Sequence, residues 1–106
     1  MRRKSMLAAV TAGLALVLLA PMGGSAAEGY FYYTTPNNQR TFVKDPEDLH
    51  CYKREGMGLT KNLTDTPVDV YGNSQCLGSP LDTLQAGDEE TVTFTAFRFR
   101  PGELPR

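Results

Sequence analysis

Tryptophan is absent from this 106-residue chain, histidine occurs once and cysteine twice. Each scarcity removes a class of chemistry. A zinc site needs several Cys, His or carboxylate ligands converging on one point. One His and two cysteines do not supply it, so no metal and no cofactor are expected. A nucleophile–base pair would need the single histidine, His50, beside a Ser or a free thiol. Its neighbour Cys51 would point to the opposite face of a strand and is expected to be oxidised. No catalytic residue is assigned, and an enzyme is not expected. Helical periodicity is also missing: beyond residue 27 no stretch carries apolar side chains at helical spacing over three turns.

The one long apolar run lies at the start. Arg2, Arg3 and Lys4 precede residues 6–20, which are Leu, Ala, Val and Met apart from Thr11 and Gly13. Pro21, Gly23 and Gly24 follow, then the small residues Ser25, Ala26 and Ala27. This is the layout of a secretory signal peptide. A membrane span needs about 20 apolar residues, and this run has 15. No Cys lies near the cleavage region, which excludes a lipoprotein anchor, and Arg2-Arg3 lacks the apolar residue close behind that the twin-arginine route would need. The expected organisation is a signal peptide at 1–27, cleaved after Ala27, and a small secreted β domain at 28–106. Cleavage removes three of the eleven basic residues and none of the twelve acids, which moves the formal charge from −1 to −4. That balance argues against a nucleic-acid partner and against a membrane surface after cleavage.

A 79-residue domain buries little apolar surface and benefits from a staple. Cys51 and Cys76 allow one pairing, in a compartment that permits disulfides. The closed segment of 26 residues implies about 3.5 kcal/mol from loop-closure entropy.

Pro and Gly recur from Pro36 to Gly102, with short β-rich runs between them. Strands are predicted at 29–34, 40–43, 49–52, 58–62, 68–71, 81–84 and 91–99. Residues 45–48 read as a turn or one short helical turn. Residues 62–67 and 85–88 read as turns, and Asn62, though it begins an Asn-Leu-Thr sequon, reads as a turn residue. Val68 and Val70 share one face of their strand. In the last run Val92, Phe94 and Ala96 share a face, after which Phe97 and Phe99 become the apolar positions. Such a one-residue phase shift predicts a bulge or sharp bend near Ala96.

Tyr71, Gly78 seven positions on, and Phe94-Thr95-Ala96-Phe97-Arg98-Phe99 together resemble one Greek-key motif of the βγ-crystallin type, an architecture shared by the streptomycete metalloproteinase inhibitor family. The likeness covers about residues 68–99. It departs at Cys76, where an aromatic is usual, and at Ala96, where a Ser is usual. Thr91 and Val92 stand where crystallin calcium sites carry carboxamides or carboxylates, so no calcium is expected. The whole of 28–106 also resembles small secreted actinobacterial proteins without assigned activity, through residues 29–33, Asp45-Pro46 before Cys51, Asn62-Leu63-Thr64-Asp65, Cys76 and Leu84–Gly87. The fold expected is all-β, a small Greek-key sandwich or partly open barrel of about six strands, stapled by Cys51–Cys76.

Tyr30-Phe31-Tyr32-Tyr33 is the most unusual local feature. On a strand, Tyr30 and Tyr32 face one way and Phe31 and Tyr33 the other. One pair can fill the core; the other would lie outside, where aromatics bind sugars or partner proteins. The acidic groups Asp45, Glu47, Asp48 and Asp88-Glu89-Glu90 read as solvated turns. The leading expectation is a non-catalytic extracellular binding module. Its partner would be an extracellular protein or a cell-wall polysaccharide. Its candidate surface is Tyr30, Phe31, Tyr32 and Tyr33 with the turn Gly72, Asn73, Ser74 and Gln75. The alternative is a secreted protease inhibitor presenting 72–75 or 53–57, and a remote third is a small secreted hydrolase.

Overall fold

A computed structural model describes residues 26–101. Residues 1–25 of the signal peptide expected at 1–27, and nearly all of the C-terminal tail, lie outside them. Seven strands follow in order: β1 (Gly29–Thr34), β2 (Arg40–Lys44), β3 (Gly56–Thr64), β4 (Val68–Tyr71), β5 (Asp82–Leu84), β6 (Glu89–Phe94) and β7 (Ala96–Phe99). They form two open antiparallel sheets, one in the order β2-β1-β3-β6 and one in the order β5-β4-β7. The protein is thus all-β, and Cys51 and Cys76 form a disulfide.

The core lies between the sheets. Phe31 and Tyr33 of β1 and Phe94 of β6 meet Val68 and Val70 of β4, Leu84 of β5, and Phe97 and Phe99 of β7. Phe31 is the hub: its ring centroid lies 4.6 Å from that of Phe97, 5.3 Å from Phe99 and 5.7 Å from Tyr33. Tilted and edge-on contacts of this kind suit the ring quadrupole. Ala27, assigned above to the leader, also packs in this core and donates its N–H to the Pro46 carbonyl at 2.8 Å.

Two of the strand expectations need correction. Residues 49–52 are not a strand. Leu49 has a positive φ of 63°, which breaks the extended path. The segment instead covers the free edge of β7, with Leu49 N bonded to Phe99 O and Tyr52 exchanging both main-chain bonds with Phe97. Residues 45–48 take the non-helical one of their two readings, with a bend at Asp45, whose φ is 48°. The run 91–99 is two strands. β6 belongs to the four-stranded sheet and β7 to the three-stranded one, and the chain bends at Thr95, whose N–H bonds to Tyr71 O. The phase shift read in the sequence is therefore a change of sheet. Phe94 points to the core from one side, and Phe97 and Phe99 from the other.

β3 is the unusual strand. Its alternation is regular but inverted. Gly56, Thr60, Asn62 and Thr64 are buried, whereas Met57 and Leu63 are exposed. Gly56 faces inward because the Phe94 ring occupies the space a side chain would take: a Cβ there would lie 2.2 Å from the ring. Asn62 is fully buried opposite Phe31, yet its amide is satisfied on every side. Its Nδ2 donates to Thr66 O at 2.8 Å and to Leu84 O at 3.0 Å. Its Oδ1 accepts from Thr64 N at 3.1 Å and Thr64 Oγ1 at 2.7 Å. The side chain thus uses two donors and two acceptor sites. The Asn62 main chain is bonded to Asp88 O and receives the Gly87 N–H. Asn62 is a strand residue whose side chain organises the turn that follows, which corrects its reading as a turn residue.

Asn62→Ala removes the amide donor from the Leu84 and Thr66 carbonyls, of which Thr66 O keeps the Thr64 hydroxyl, and takes the acceptor from the Thr64 N–H. It is expected to lower the free energy of unfolding by about 3 kcal/mol, whereas Leu63→Ser, one residue on and facing out, should change it by about 0.5 kcal/mol or less. Urea denaturation of the two variants against the parent checks both values.

Candidate binding face

The register places one set of side chains on the outer surface of the four-stranded sheet. Tyr30 lies opposite Lys44 and Leu63, and Tyr32 opposite Phe42 and Lys61. Met57 lies opposite Thr93, Leu59 opposite Thr91, and Lys61 opposite Glu89. Tyr30, Tyr32 and Phe42 form an aromatic cluster. The two tyrosine rings are 5.7 Å apart and nearly parallel, while Phe42 meets Tyr30 edge-on at 5.4 Å and Tyr32 tilted at 5.7 Å. Phe42, Met57 and Leu63 are each about half exposed, at 51%, 51% and 52%. Scattered apolar residues on a surface need no explanation, but a contiguous patch does. Next to the cluster lies a half-open groove of about 280 Å³ lined by Tyr32, Tyr33, Arg40, Leu59, Lys61 and Leu63.

Of the eight candidate surface residues, two reach this face. Tyr30 and Tyr32 point outward. Phe31 and Tyr33 are buried in the core, so they drop out as a binding pair, Tyr33 reaching the groove only at its wall. Phe42, Met57, Leu59, Lys61, Leu63 and Arg40 were not among the candidates. Their signal was the period-two pattern of 40–44 and of 57–63, but nothing local says which side of those strands meets solvent.

Gly72, Asn73, Ser74 and Gln75 belong to the other sheet. They follow β4, whose Val68 and Val70 face the core and whose Asp69 and Tyr71 face away. Tyr71 packs with Ala96 and the Cys51–Cys76 disulfide in a second, smaller cluster on that outer side. The turn is drawn tight by Asn73. Its Oδ1 accepts the N–H groups of Gln75 and Leu77 at 3.0 Å, and its Nδ2 donates to Leu77 O at 2.9 Å. Cys76 adopts a φ of 54° within it. The turn and the aromatic face therefore lie on opposite sides of the sandwich and do not form one site.

The second sheet's outer face is closed by polar pairing. Asp69 is buried and takes a two-pronged contact from Arg100, with Nε to Oδ2 at 2.8 Å and Nη2 to Oδ1 at 2.9 Å, while Thr83 Oγ1 donates to Oδ1 at 2.6 Å. The Arg98 guanidinium lies 5.8 Å from the Tyr71 ring centroid and its Nη2 donates to the Tyr71 hydroxyl. Burial pulls the Asp69 carboxyl upward. The hydrogen bonds from Arg100 and Thr83, and then the charges of Arg100 and Arg98, override it and hold the carboxyl below its ordinary range.

His50 is exposed and sets its ring edge against Tyr52 at 4.6 Å. Among the described residues no group of three or more His, Cys, Asp or Glu is placed to hold a metal ion. No family model, curated protein or solved structure matches the chain, so the crystallin-type likeness rests on the residues between Val68 and Phe99 alone.

A carboxylate held low in the folded state contributes stability that is present above its unfolded value and is lost as pH falls through the folded one. Asp69→Asn is accordingly expected to cost about 1–2 kcal/mol near neutrality, allowing for the half-exposed Arg100, and to flatten the fall of stability on acidification. Urea denaturation from neutral pH into the acid range reads both effects.

Proposed function

We propose that this protein is a non-catalytic extracellular binding module whose binding surface is the outer face of the β2-β1-β3-β6 sheet. The observation that carries the reading is the inversion of β3. A strand that turns Thr60, Asn62 and Thr64 inward and Met57, Leu59 and Leu63 outward does the reverse of what burial favours. Beside it, Tyr30, Tyr32 and Phe42 extend the apolar patch across two further strands. A half-buried sheet face of this composition gains free energy by covering itself. Exposed aromatics are the residues that dominate binding energy when a partner excludes water from them.

The Cys51–Cys76 disulfide is consistent with an extracellular location. Export through the N-terminal leader is part of the proposal, as is the partner class: an extracellular protein or a cell-wall polysaccharide. The second sheet supports a structural role by contrast. Its outward side chains are engaged with one another and with the disulfide.

The test compares the protein with a Tyr30→Ala/Phe42→Ala variant for retention on cell-wall material and on immobilised culture-supernatant proteins. Loss of two exposed aromatic anchors should weaken retention about tenfold or more, while Leu77→Ala on the opposite side leaves it unchanged. Equal retention of the parent and the aromatic variant on both materials would overturn the assignment.

A further inference from the structure

Resting on that reading of the sheet face, we infer that its occupant is an acidic, apolar protein segment, with one side chain seated in the groove of Tyr32, Leu59 and Leu63 and carboxylates reaching Arg40 and Lys61 on either side.

Charge is the first argument. The chain is acid-rich, with twelve Asp and Glu against eleven Lys and Arg, three of the latter in the leader. Yet the strand residues of this face carry Arg40, Lys44 and Lys61 against a single carboxylate, Glu89. Arg40 makes no ion pair among the described residues. Lys61 is 4.0 Å from Glu89 and Lys44 3.9 Å from Asp45, with both pairs exposed. Such pairs are worth little in water, so the cations are available to an incoming anion. Guanidinium and ammonium groups at the rim of a groove steer an acidic partner and fix its register.

Composition is the second. Tyr, Phe, Met and Arg are the types enriched in protein interfaces, and the face presents Tyr30, Tyr32, Phe42, Met57 and Arg40. A glycan fits less well. The aliphatic groups of Met57, Leu59 and Leu63 offer a sugar no hydrogen bonds, and Phe42 stands at 67° to Tyr30 and 57° to Tyr32, so the three rings make no flat platform. A second copy of the chain would bring the same three cations against themselves across an isologous contact. The groove, about 280 Å³, lies just below the range of about 300–1,000 Å³ typical of small-molecule sites and suits a single large side chain.

The experiment pans a random twelve-residue peptide library against the immobilised protein and measures the enriched peptides against variants. The expected consensus has two carboxylates flanking a Phe, Leu or Tyr. Its affinity should fall at least tenfold with Arg40→Glu/Lys61→Glu, by less with Arg40→Gln/Lys61→Gln, and steadily with added salt. Urea denaturation establishes that each variant is folded. Neutral or basic consensus peptides, an affinity indifferent to charge reversal, or binding of polygalacturonate with no peptide enriched would each overturn the inference. Peptides that lose affinity to Tyr30→Ala/Phe42→Ala but not to the charge variants would reject the acidic partner and leave the binding face standing. Peptides indifferent to both sets would reject the face itself.

Discussion

The buried amide of Asn62 fixes which way β3 faces, and most of the architecture depends on that choice. In a strand, a slip of one residue moves every side chain to the other face. Hydrophobicity alone would favour the slip here, since burying Leu63 or Met57 is worth about 1.5–3 kcal/mol each. Two things oppose it. Asn62 leaves the interior only by abandoning the buried Leu84 carbonyl and the Thr64 N–H, each costing about 1–3 kcal/mol when unpaired, and by leaving Thr66 O to the Thr64 hydroxyl alone. The interior also has no room. Phe94 already fills the space in front of Gly56, and Phe31 lies opposite Asn62. A hydrogen-bond network and a steric limit therefore outweigh the apolar pattern.

With β3 turned this way, the rest of the core must come from elsewhere. β1 supplies Phe31 and Tyr33, and the three-stranded sheet supplies Val68, Val70, Leu84, Phe97 and Phe99. The bend at Thr95 makes this possible, because one continuous stretch of chain lends Phe94 to the first sheet and Phe97 to the second. The rings of those two meet edge-on at 5.8 Å across the corner. The disulfide works at the far side. It ties the 49–52 segment, which seals the β7 edge, to the turn after β4, and shields Tyr71. An unsealed edge would expose main-chain groups to pairing with another chain.

What could be read from the residues follows from how local the determining physics is. The limits of β1 and β4 follow from β-branched and aromatic runs closed by Thr, Pro or Gly, and the cysteine pair has one possible partner each. The phase shift between Phe94 and Phe97 was visible, although its meaning as a change of sheet was not, because a bulge and a corner shift the alternation in the same way. Residues 49–52 read as a strand because nothing in Leu-His-Cys-Tyr announces a positive φ at Leu49. For 30–33 both pairs are aromatic, so composition could not decide which one is buried. The face of β3 was the hardest case. Its alternation was plain, but its direction is set by Leu84, 22 residues away, through a side-chain bond no local pattern encodes.

The two outer faces then show how the domain manages exposed surface. On the second sheet, the outward polar groups pair with one another, as Asp69 does with Arg100 and Thr83, or Arg98 through its Nη2 with Tyr71. On the first, Phe42, Met57 and Leu63 are left half in water, interleaved with cations. Arg40 and Lys44 sit on β2, an edge strand, where charge discourages indiscriminate strand addition. Lys61 sits in the middle of the patch and interrupts it. On the proposed reading, like charges at these three positions disfavour contact between copies of the chain and leave the apolar surface open to something of opposite sign. A face built only for solubility would not carry three outward-facing rings, and one built only to be buried would not carry three cations. The combination is what a surface needs if it is to stay free in solution and still be covered by a selected partner.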